Sequence, residues 1–129
     1  MKKHILVFGT FDELHPGHRF LLSEAQKRGE LFVVIARDAN VERIKGRPAV
    51  ESEGERKRAV EKAYHDATVL LGDPHDFLVP VIAVRPDLIL FGYDQKLPPG
   101  VREKDLECPV ERLPAFEPEK YKSSLRRNS

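Results

Sequence analysis

The length and composition of this chain indicate one folded domain with a heavily charged surface, since its 129 residues are 40% hydrophobic and 33% charged. The formal net charge of +1 excludes a global attraction to nucleic acid or to an anionic membrane, so any anion-binding site must be local. The chain has a single cysteine, no long apolar run and no room for a signal peptide before its first strand, which predicts a cytoplasmic protein without disulfides.

Short apolar runs alternate with amphipathic stretches along the chain. The predicted strands cover residues 4–8, 31–36, 68–71, 88–91 and 110–113, and the predicted helices cover residues 16–28, 52–64 and 77–84. Strands that alternate with helices predict βαβ units and a parallel sheet. We therefore expect an α/β protein with one domain over residues 1–129: a Rossmann-like, doubly wound parallel sheet of about five strands with helices on both faces. Residues 115–129 are predicted to form a mobile tail.

The most informative segment lies between the first predicted strand and the first predicted helix. It reads Gly-Thr-Phe-Asp-Glu-Leu-His-Pro-Gly-His over residues 9–18 and places His15 and His18 at the start of the helix. Residues three apart on a helix share a face, with Cβ atoms about 5–6 Å apart, and the unpaired N–H groups of a helix N-terminus suit a phosphate. Gly17 lets a bulky anion approach the backbone. Two imidazoles beside an anion site indicate nucleotide chemistry.

This segment resembles the signature of the nucleotidyltransferase superfamily whose His-x-Gly-His motif binds the triphosphate of a nucleotide. Similar members include the archaeal FAD synthases, which are FMN adenylyltransferases, and small cytidylyltransferases such as glycerol-3-phosphate cytidylyltransferase. The resemblance covers nearly the whole chain. It implies that His15 and His18 are catalytic and stabilise the transition state. It also implies nucleotide binding by the residues around them, namely Gly9, Thr10, Phe11 and Gly17.

Three basic residues further along the chain gain a role from the same resemblance. Lys45 lies in the run Arg-Ile-Lys-Gly-Arg, which by itself indicates a solvated loop. Archaeal FAD synthases carry a similar Lys-Gly-Arg run, which implies that Lys45 is a third catalytic residue, with Arg47 as a further cation. Arg56 lies in a run of charges that by itself indicates the solvated face of a helix. The relatives supply an arginine from a Glu-x-x-Arg pattern on this helix, which implies that Arg56 binds the nucleotide.

Two later segments complete the resemblance. Gly-Tyr-Asp-Gln, residues 92–95, follows the fourth predicted strand and is closer to archaeal FAD synthases than to cytidylyltransferases, which tend to show Gly-Asp-Asp-Trp. It implies that Gly92 and Asp94 contact the base or ribose. Tyr-Lys-Ser-Ser near the C-terminus resembles a late phosphate-binding motif of the family, although the helix that usually follows it is cut short here. It implies nucleotide contacts from Lys122, Ser123 and Ser124.

The sequence shows no cluster of histidines and carboxylates with the spacing of a protein-built metal site. Magnesium or another divalent cation is therefore expected to be held mainly by the triphosphate, since Mg²⁺ usually keeps several waters. Asp12 and Asp38 are candidates for additional ligands.

The leading functional prediction is transfer of AMP from ATP to FMN, giving FAD and pyrophosphate. Two alternatives stay open. One is a cytidylyltransferase that uses CTP and glycerol 3-phosphate or a similar phospho-alcohol. The other is a nucleotide-binding module without turnover, which the shortened C-terminal motif suggests. The predicted partners are a nucleoside triphosphate, a phosphorylated acceptor and a second copy of the chain in a homodimer, with neither nucleic acid nor membrane. The apolar residues 77–79 suit a core or an interface equally.

Overall fold

The computed structural model describes residues 2–115. In chain order the elements are β1 (His4–Gly9), α1 (Pro16–Arg28), β2 (Glu30–Ile35), α2 (Asp38–Lys45), α3 (Glu53–Ala63), β3 (Thr68–Leu71), α4 (Leu78–Val84), β4 (Leu88–Phe91), a 3₁₀ helix (Glu103–Leu106) and β5 (Val110–Arg112). The predicted motif residues Lys122, Ser123 and Ser124 lie outside the described residues.

The apolar runs form a five-stranded, all-parallel sheet in the order β3-β2-β1-β4-β5, which confirms the predicted fold. One face of the sheet packs against α1 and α3 through side chains such as Leu22 and Val60. The other face packs against α4 and the 3₁₀ helix through Val81 and Leu106. Because both faces are covered, the central strands are apolar throughout rather than alternating.

The strand order determines where a ligand can bind. The chain builds outward from β1 through β2 to β3, then crosses to the other side of β1 for β4 and β5. The order of strands therefore reverses between β1 and β4, and open α/β sheets bind ligands in the crevice at the carboxyl ends of such a pair. The predicted motif of residues 9–18 begins at the end of β1, at this position.

The helices predicted over residues 16–28 and 52–64 are confirmed as α1 and α3. At the start of α3, Ser52 accepts from the Glu55 N–H at 3.2 Å, and the Glu55 carboxylate accepts from the Ser52 N–H at 2.8 Å, which closes a capping box. None of the helices in the described part of the chain has the length and apolarity that a membrane crossing requires.

Helix α2 differs from the sequence expectation, which placed residues 43–47 in a solvated loop. The helix has eight residues and buries only Val41, so it lacks the apolar stripe from which helices are predicted. Gly46 ends it in the left-handed conformation, with φ of +79° and its N–H donating to the Glu42 carbonyl at 2.8 Å. Lys45 is therefore the last residue of a helix.

Candidate active site

A cleft of about 760 Å³ opens at the carboxyl ends of β1 and β4. Most of the residues predicted to bind the nucleotide or to act in catalysis line it, although they come from three separate segments of the chain. These are Gly9, Thr10, Phe11, His15, Gly17, His18, Lys45, Gly92 and Asp94. Convergence of distant segments at one switch point is the arrangement that a single ligand site requires.

The two histidines cap the N-terminus of α1 with each other. The Nδ1 atom of His15 accepts from the backbone N–H of Gly17 at 3.1 Å and from that of His18 at 3.3 Å. The Nδ1 atom of His18 accepts in return from the backbone N–H of His15 at 3.3 Å. The rings stack with centroids 3.5 Å apart. This is a capping box made of two imidazoles, and it uses orphan N–H groups that a serine or aspartate usually satisfies.

The capping box fixes the tautomer of both rings. A neutral imidazole carries one N–H, and a nitrogen that accepts a hydrogen bond does not carry it. Because both Nδ1 atoms accept, the proton of each neutral ring lies on Nε2. His15 and His18 therefore each keep an Nε2–H donor for a ligand in the cleft. Gly17 preserves this arrangement, since a Cβ there would lie 3.1 Å from the His15 ring.

Burial favours the neutral form of His18. Desolvation, reinforced by the neighbouring His15 and Lys45 and opposed by Asp12, lowers the pKa of His18 from 6.5 to about 4. At neutral pH His18 is thus uncharged and donates through Nε2–H. Its ring also makes an edge contact with Phe11, with centroids 5.3 Å apart.

We expect the protein to lose stability as the pH falls from about 6.5 towards 4, partly through His18. In this window His18 is protonated in the unfolded chain and neutral in the folded chain, so proton uptake favours unfolding. Above pH 6.5 His18 is neutral in both states, and it no longer makes the stability depend on pH. Thermal melts across this range should show a steeper fall for the wild type than for His18→Asn, whose amide oxygen still caps the His15 N–H. Equal slopes would contradict the lowered pKa of His18.

The loop between β1 and α1 is held in a strained conformation that supports His18. Phe11 has φ of +52° and is only 2% exposed. A Cβ at Gly9 would lie 2.7 Å from the Phe11 ring, so the close approach of ring and strand requires glycine there. Left-handed backbone at a non-glycine residue costs on the order of 1–3 kcal/mol and is typical of functional sites.

Arg56, predicted as a nucleotide contact, is buried in the described structure. Its side chain is 0% exposed and is not among the residues that line the cleft, and the nucleotide contact stays a prediction. The guanidinium donates to the Thr10 carbonyl at 2.8 Å, the Glu51 carbonyl at 3.1 Å and the Asp38 carboxylate at 2.5 Å. Arg56 therefore ties the β1–α1 loop, the segment before α3 and the start of α2 together. It positions Thr10 and, through α2, Lys45.

Asp12 and Asp38, the two carboxylates predicted as candidate metal ligands, accept hydrogen bonds from other groups of the protein. Asp12 accepts from the backbone N–H groups of Val50 and Glu51, at 2.8 and 2.9 Å. Although burial alone would raise the pKa of Asp12, these two bonds, with Arg56 and Lys45, lower it below its usual value. Asp38 accepts from Arg56 and from the Glu53 N–H. Within residues 2–115 no group of three or more histidine, cysteine or acidic side chains is arranged to hold a metal ion.

Sequence reasoning missed two residues that shape the cleft. Gln95 bridges two strands, since its amide nitrogen donates to the Phe8 carbonyl at 2.7 Å and its amide oxygen accepts from the Gly92 N–H at 3.1 Å. Arg112 of β5 binds the carbonyls of the same loop from the outer side. The only sequence signal for Gln95 was the Gly-Tyr-Asp-Gln motif. Arg112 had no sequence signal, because only the pairing of β5 with β4 brings it beside this loop.

Comparison with known proteins shows the family of the chain. Residues 6–126 match the family model described as cytidylyltransferase-like. The chain belongs to this family. This cytidylyltransferase-like protein is 40% identical over 128 residues to an FAD synthase of Archaeoglobus profundus, an alignment that covers 95% of this chain and 81% of that protein. It is 38% identical over 130 residues to an FAD synthase of Methanopyrus kandleri, covering 91% of this chain and 83% of the relative.

Solved structures show the same architecture for the cytidylyltransferase-like chain. A protein of Thermoplasma volcanium, described as a lipopolysaccharide core biosynthesis protein, superimposes with a TM-score of 0.81 at 30% identity, covering 91% of this chain and 100% of that one. A protein of unknown function from Archaeoglobus fulgidus has a TM-score of 0.61 at 18% identity and shares the fold alone. The predicted family is thereby confirmed.

Proposed function

We propose that this cytidylyltransferase-like protein is an FMN adenylyltransferase, which transfers AMP from ATP to FMN and releases pyrophosphate. The observation that carries the proposal is the convergence of His15, His18 and Lys45 on one cleft at the switch point of the sheet. Relatives that are 38–44% identical and named FAD synthases support the choice of substrates.

The reaction needs no covalent intermediate on the protein. A phosphate oxygen of FMN attacks the α-phosphorus of ATP, the new P–O bond forms, and the bond from the α-phosphorus to the bridging oxygen of the pyrophosphate breaks. Negative charge develops on the non-bridging oxygens and on the leaving pyrophosphate. Positioning of the two substrates and stabilisation of this charge therefore supply the rate enhancement.

The site residues fit these needs. The Nε2–H groups of His15 and His18 donate to the α- and β-phosphate oxygens, and the Lys45 ammonium adds a positive charge beside them. Because the capping box presets both tautomers, the donors need no reorganisation during the reaction. Gly9, Thr10 and Phe11 line the cleft and contact the same nucleotide. Gly17, whose N–H already donates to His15, contributes by having no side chain, which lets the phosphates approach the backbone. The predicted phosphate contacts of Lys122, Ser123 and Ser124 stay a prediction.

The donor set of the cleft suits a cation that arrives with the nucleotide. Its phosphate end presents N–H groups and an ammonium, and the carboxylates of Asp12 and Asp38 are engaged by backbone and Arg56. The described residues therefore do not form a protein-built magnesium site. We propose that a divalent cation enters as the metal–ATP complex, with the triphosphate and water as its ligands.

The homodimer and the cytoplasmic location remain predictions. Of the apolar stretch singled out in the sequence, Phe77 stacks on Phe8 and belongs to the core. Val79 and Ile82 are exposed by 45% and 72% on α4. Sedimentation velocity decides the oligomeric state, and a species of 14.7 kDa at micromolar concentration would contradict the dimer.

The direct test is pyrophosphate release, with Mg²⁺, from ATP or CTP in the presence of FMN, glycerol 3-phosphate or phosphocholine. We expect release with ATP and FMN together, matched mole for mole by FAD, and little with the other pairs. Release with CTP and a phospho-alcohol would keep the reaction type and overturn the substrates. If the protein binds nucleotide but releases no pyrophosphate with any pair of substrates, the proposed enzymatic function is contradicted.

A further inference from the structure

Arg112 lies behind one wall of the cleft and binds the loop that forms it. This residue pairs in register with Phe91, the last residue of β4, so its side chain extends over the following residues, Gly92–Gln95. Its Nη1 atom donates to the carbonyl oxygens of Gly92 at 2.8 Å and of Gln95 at 2.6 Å. The Tyr93 carbonyl lies at 3.5 Å, and the guanidinium sits over the Phe91 ring, 5.4 Å from its centroid.

The same loop is closed from its inner side by Gln95. The Gln95 side chain joins the Gly92 N–H to the Phe8 carbonyl, and the Gln95 N–H donates to the Gly92 carbonyl at 3.2 Å. Gly92 therefore has both its N–H and its carbonyl engaged within the protein. The loop is a wall of defined shape, with Arg112 on one side and Gln95 on the other, rather than a free turn.

The proposed function divides the residues that line the cleft into two groups. We call His15, His18 and Lys45 the phosphate end, and Gly92–Lys96 together with Leu113 and Pro114 the base end. A triphosphate held at the phosphate end leaves its ribose and base for the base end. Arg112 connects the two segments of the base end, because it precedes Leu113 in the chain and binds the loop Gly92–Gln95. It does not itself line the cleft.

We propose that Arg112 is a positioning residue that sets the shape of the base end and thereby the affinity for ATP and the preference for ATP over CTP. The inference rests on the proposed function for the identity of the nucleotide. The planar guanidinium suits the task because it binds several carbonyls at once while its charge lies over an aromatic ring. A lysine at this position keeps the charge and one or two of the hydrogen bonds, and a methionine keeps neither.

The test compares Arg112→Met, Arg112→Lys and Glu111→Gln with the wild type. Glu111 is the matched control: it lies beside Arg112 on β5 and binds Arg28 of α1 at 2.8 and 3.0 Å, away from the loop. Affinities for ATP, CTP and inorganic tripolyphosphate are measured by calorimetry without acceptor, and KM and kcat are measured for FAD formation.

We expect Arg112→Met to raise the Kd and KM for ATP by about 5- to 10-fold, since a hydrogen bond to a charged group contributes a factor of this order even at an exposed site. The ratio of CTP affinity to ATP affinity should rise. Tripolyphosphate affinity and kcat should change by less than about twofold, because the phosphate end is untouched. Arg112→Lys should recover most of the loss, and Glu111→Gln should behave as the wild type.

Unchanged ATP affinity in Arg112→Met would overturn the inference, as would equal losses for ATP and tripolyphosphate or a loss of the same size in Glu111→Gln. A wild type that binds no nucleotide would also overturn it. The proposed function is decided separately, by FAD formation in the wild type. If the wild type makes no FAD but binds ATP more tightly than CTP, and Arg112→Met removes this preference, the proposed FMN adenylyltransferase function is contradicted and the positioning role of Arg112 is supported.

Discussion

Replacing His18 by asparagine is expected to lower kcat for FAD formation by on the order of 10²–10³-fold, the usual cost of removing one preorganised donor to a developing charge. In the wild type the His18 Nδ1 atom accepts a hydrogen bond from the His15 N–H at 3.3 Å. The asparagine side-chain oxygen takes the place of Nδ1 and keeps this hydrogen bond. The Nε2–H donor is lost. Because the donor acts mainly on charge that develops in the transition state, the Kd for ATP should change by less than about threefold.

This experiment separates the enzyme from the nucleotide-binding module that the sequence left open. Single-turnover kinetics give the chemical step, and calorimetry gives the ATP affinity. His65→Asn makes the same substitution at an exposed histidine outside the cleft and should leave both quantities at wild-type values. Equal losses in kcat and in ATP affinity for His18→Asn would contradict a catalytic role for His18.

Replacing Arg56 by methionine is expected to lower the free energy of unfolding by about 2–4 kcal/mol, since it leaves two part-buried carbonyls without a donor. Those carbonyls belong to Thr10 and Glu51. This loss of stability should be smaller than the loss from breaking a fully buried ion pair, because the Asp38 side chain is 48% exposed and water screens its charge. A thermal melt should show Tm lowered by roughly 10 °C.

The activity of Arg56→Met should fall as well, because the loop of Thr10 and the start of α2 lose their common anchor. The decisive readout is the activity at a temperature where the variant is fully folded by circular dichroism: kcat should be reduced while the ATP-to-CTP preference is retained. Arg58→Met makes the same change on the same helix at an exposed position and should leave Tm within about 1–2 °C of the wild type. A Tm for Arg56→Met equal to that of Arg58→Met would contradict the buried role.

Arg56 shows why the role of a charge cannot be read from a run of charges. Every residue from Glu53 to Arg58 is charged except Gly54, so the segment resembles the solvated face of a helix. The spacing nevertheless held a signal: Arg56 and Val60 of α3 and Tyr64, which follows the helix as its C-cap, are four residues apart and all buried. Which polar groups meet an arginine on such a stripe depends on loops that are distant in sequence.

The sequence by itself determined the features that rest on local periodicity and on one contiguous motif. Continuous apolar runs between helices predicted the parallel sheet, and His15 and His18 three residues apart at a helix start predicted the phosphate end. Only the tertiary structure decided which nitrogen of each histidine faces the ligand, because that depends on backbone N–H groups satisfied in the folded cap. It also decided where Lys45, Arg56 and Arg112 lie and which groups the two arginines bind. These placements depend on α2, on part-buried carbonyls and on the pairing of β4 with β5, which are contacts between segments far apart in the chain.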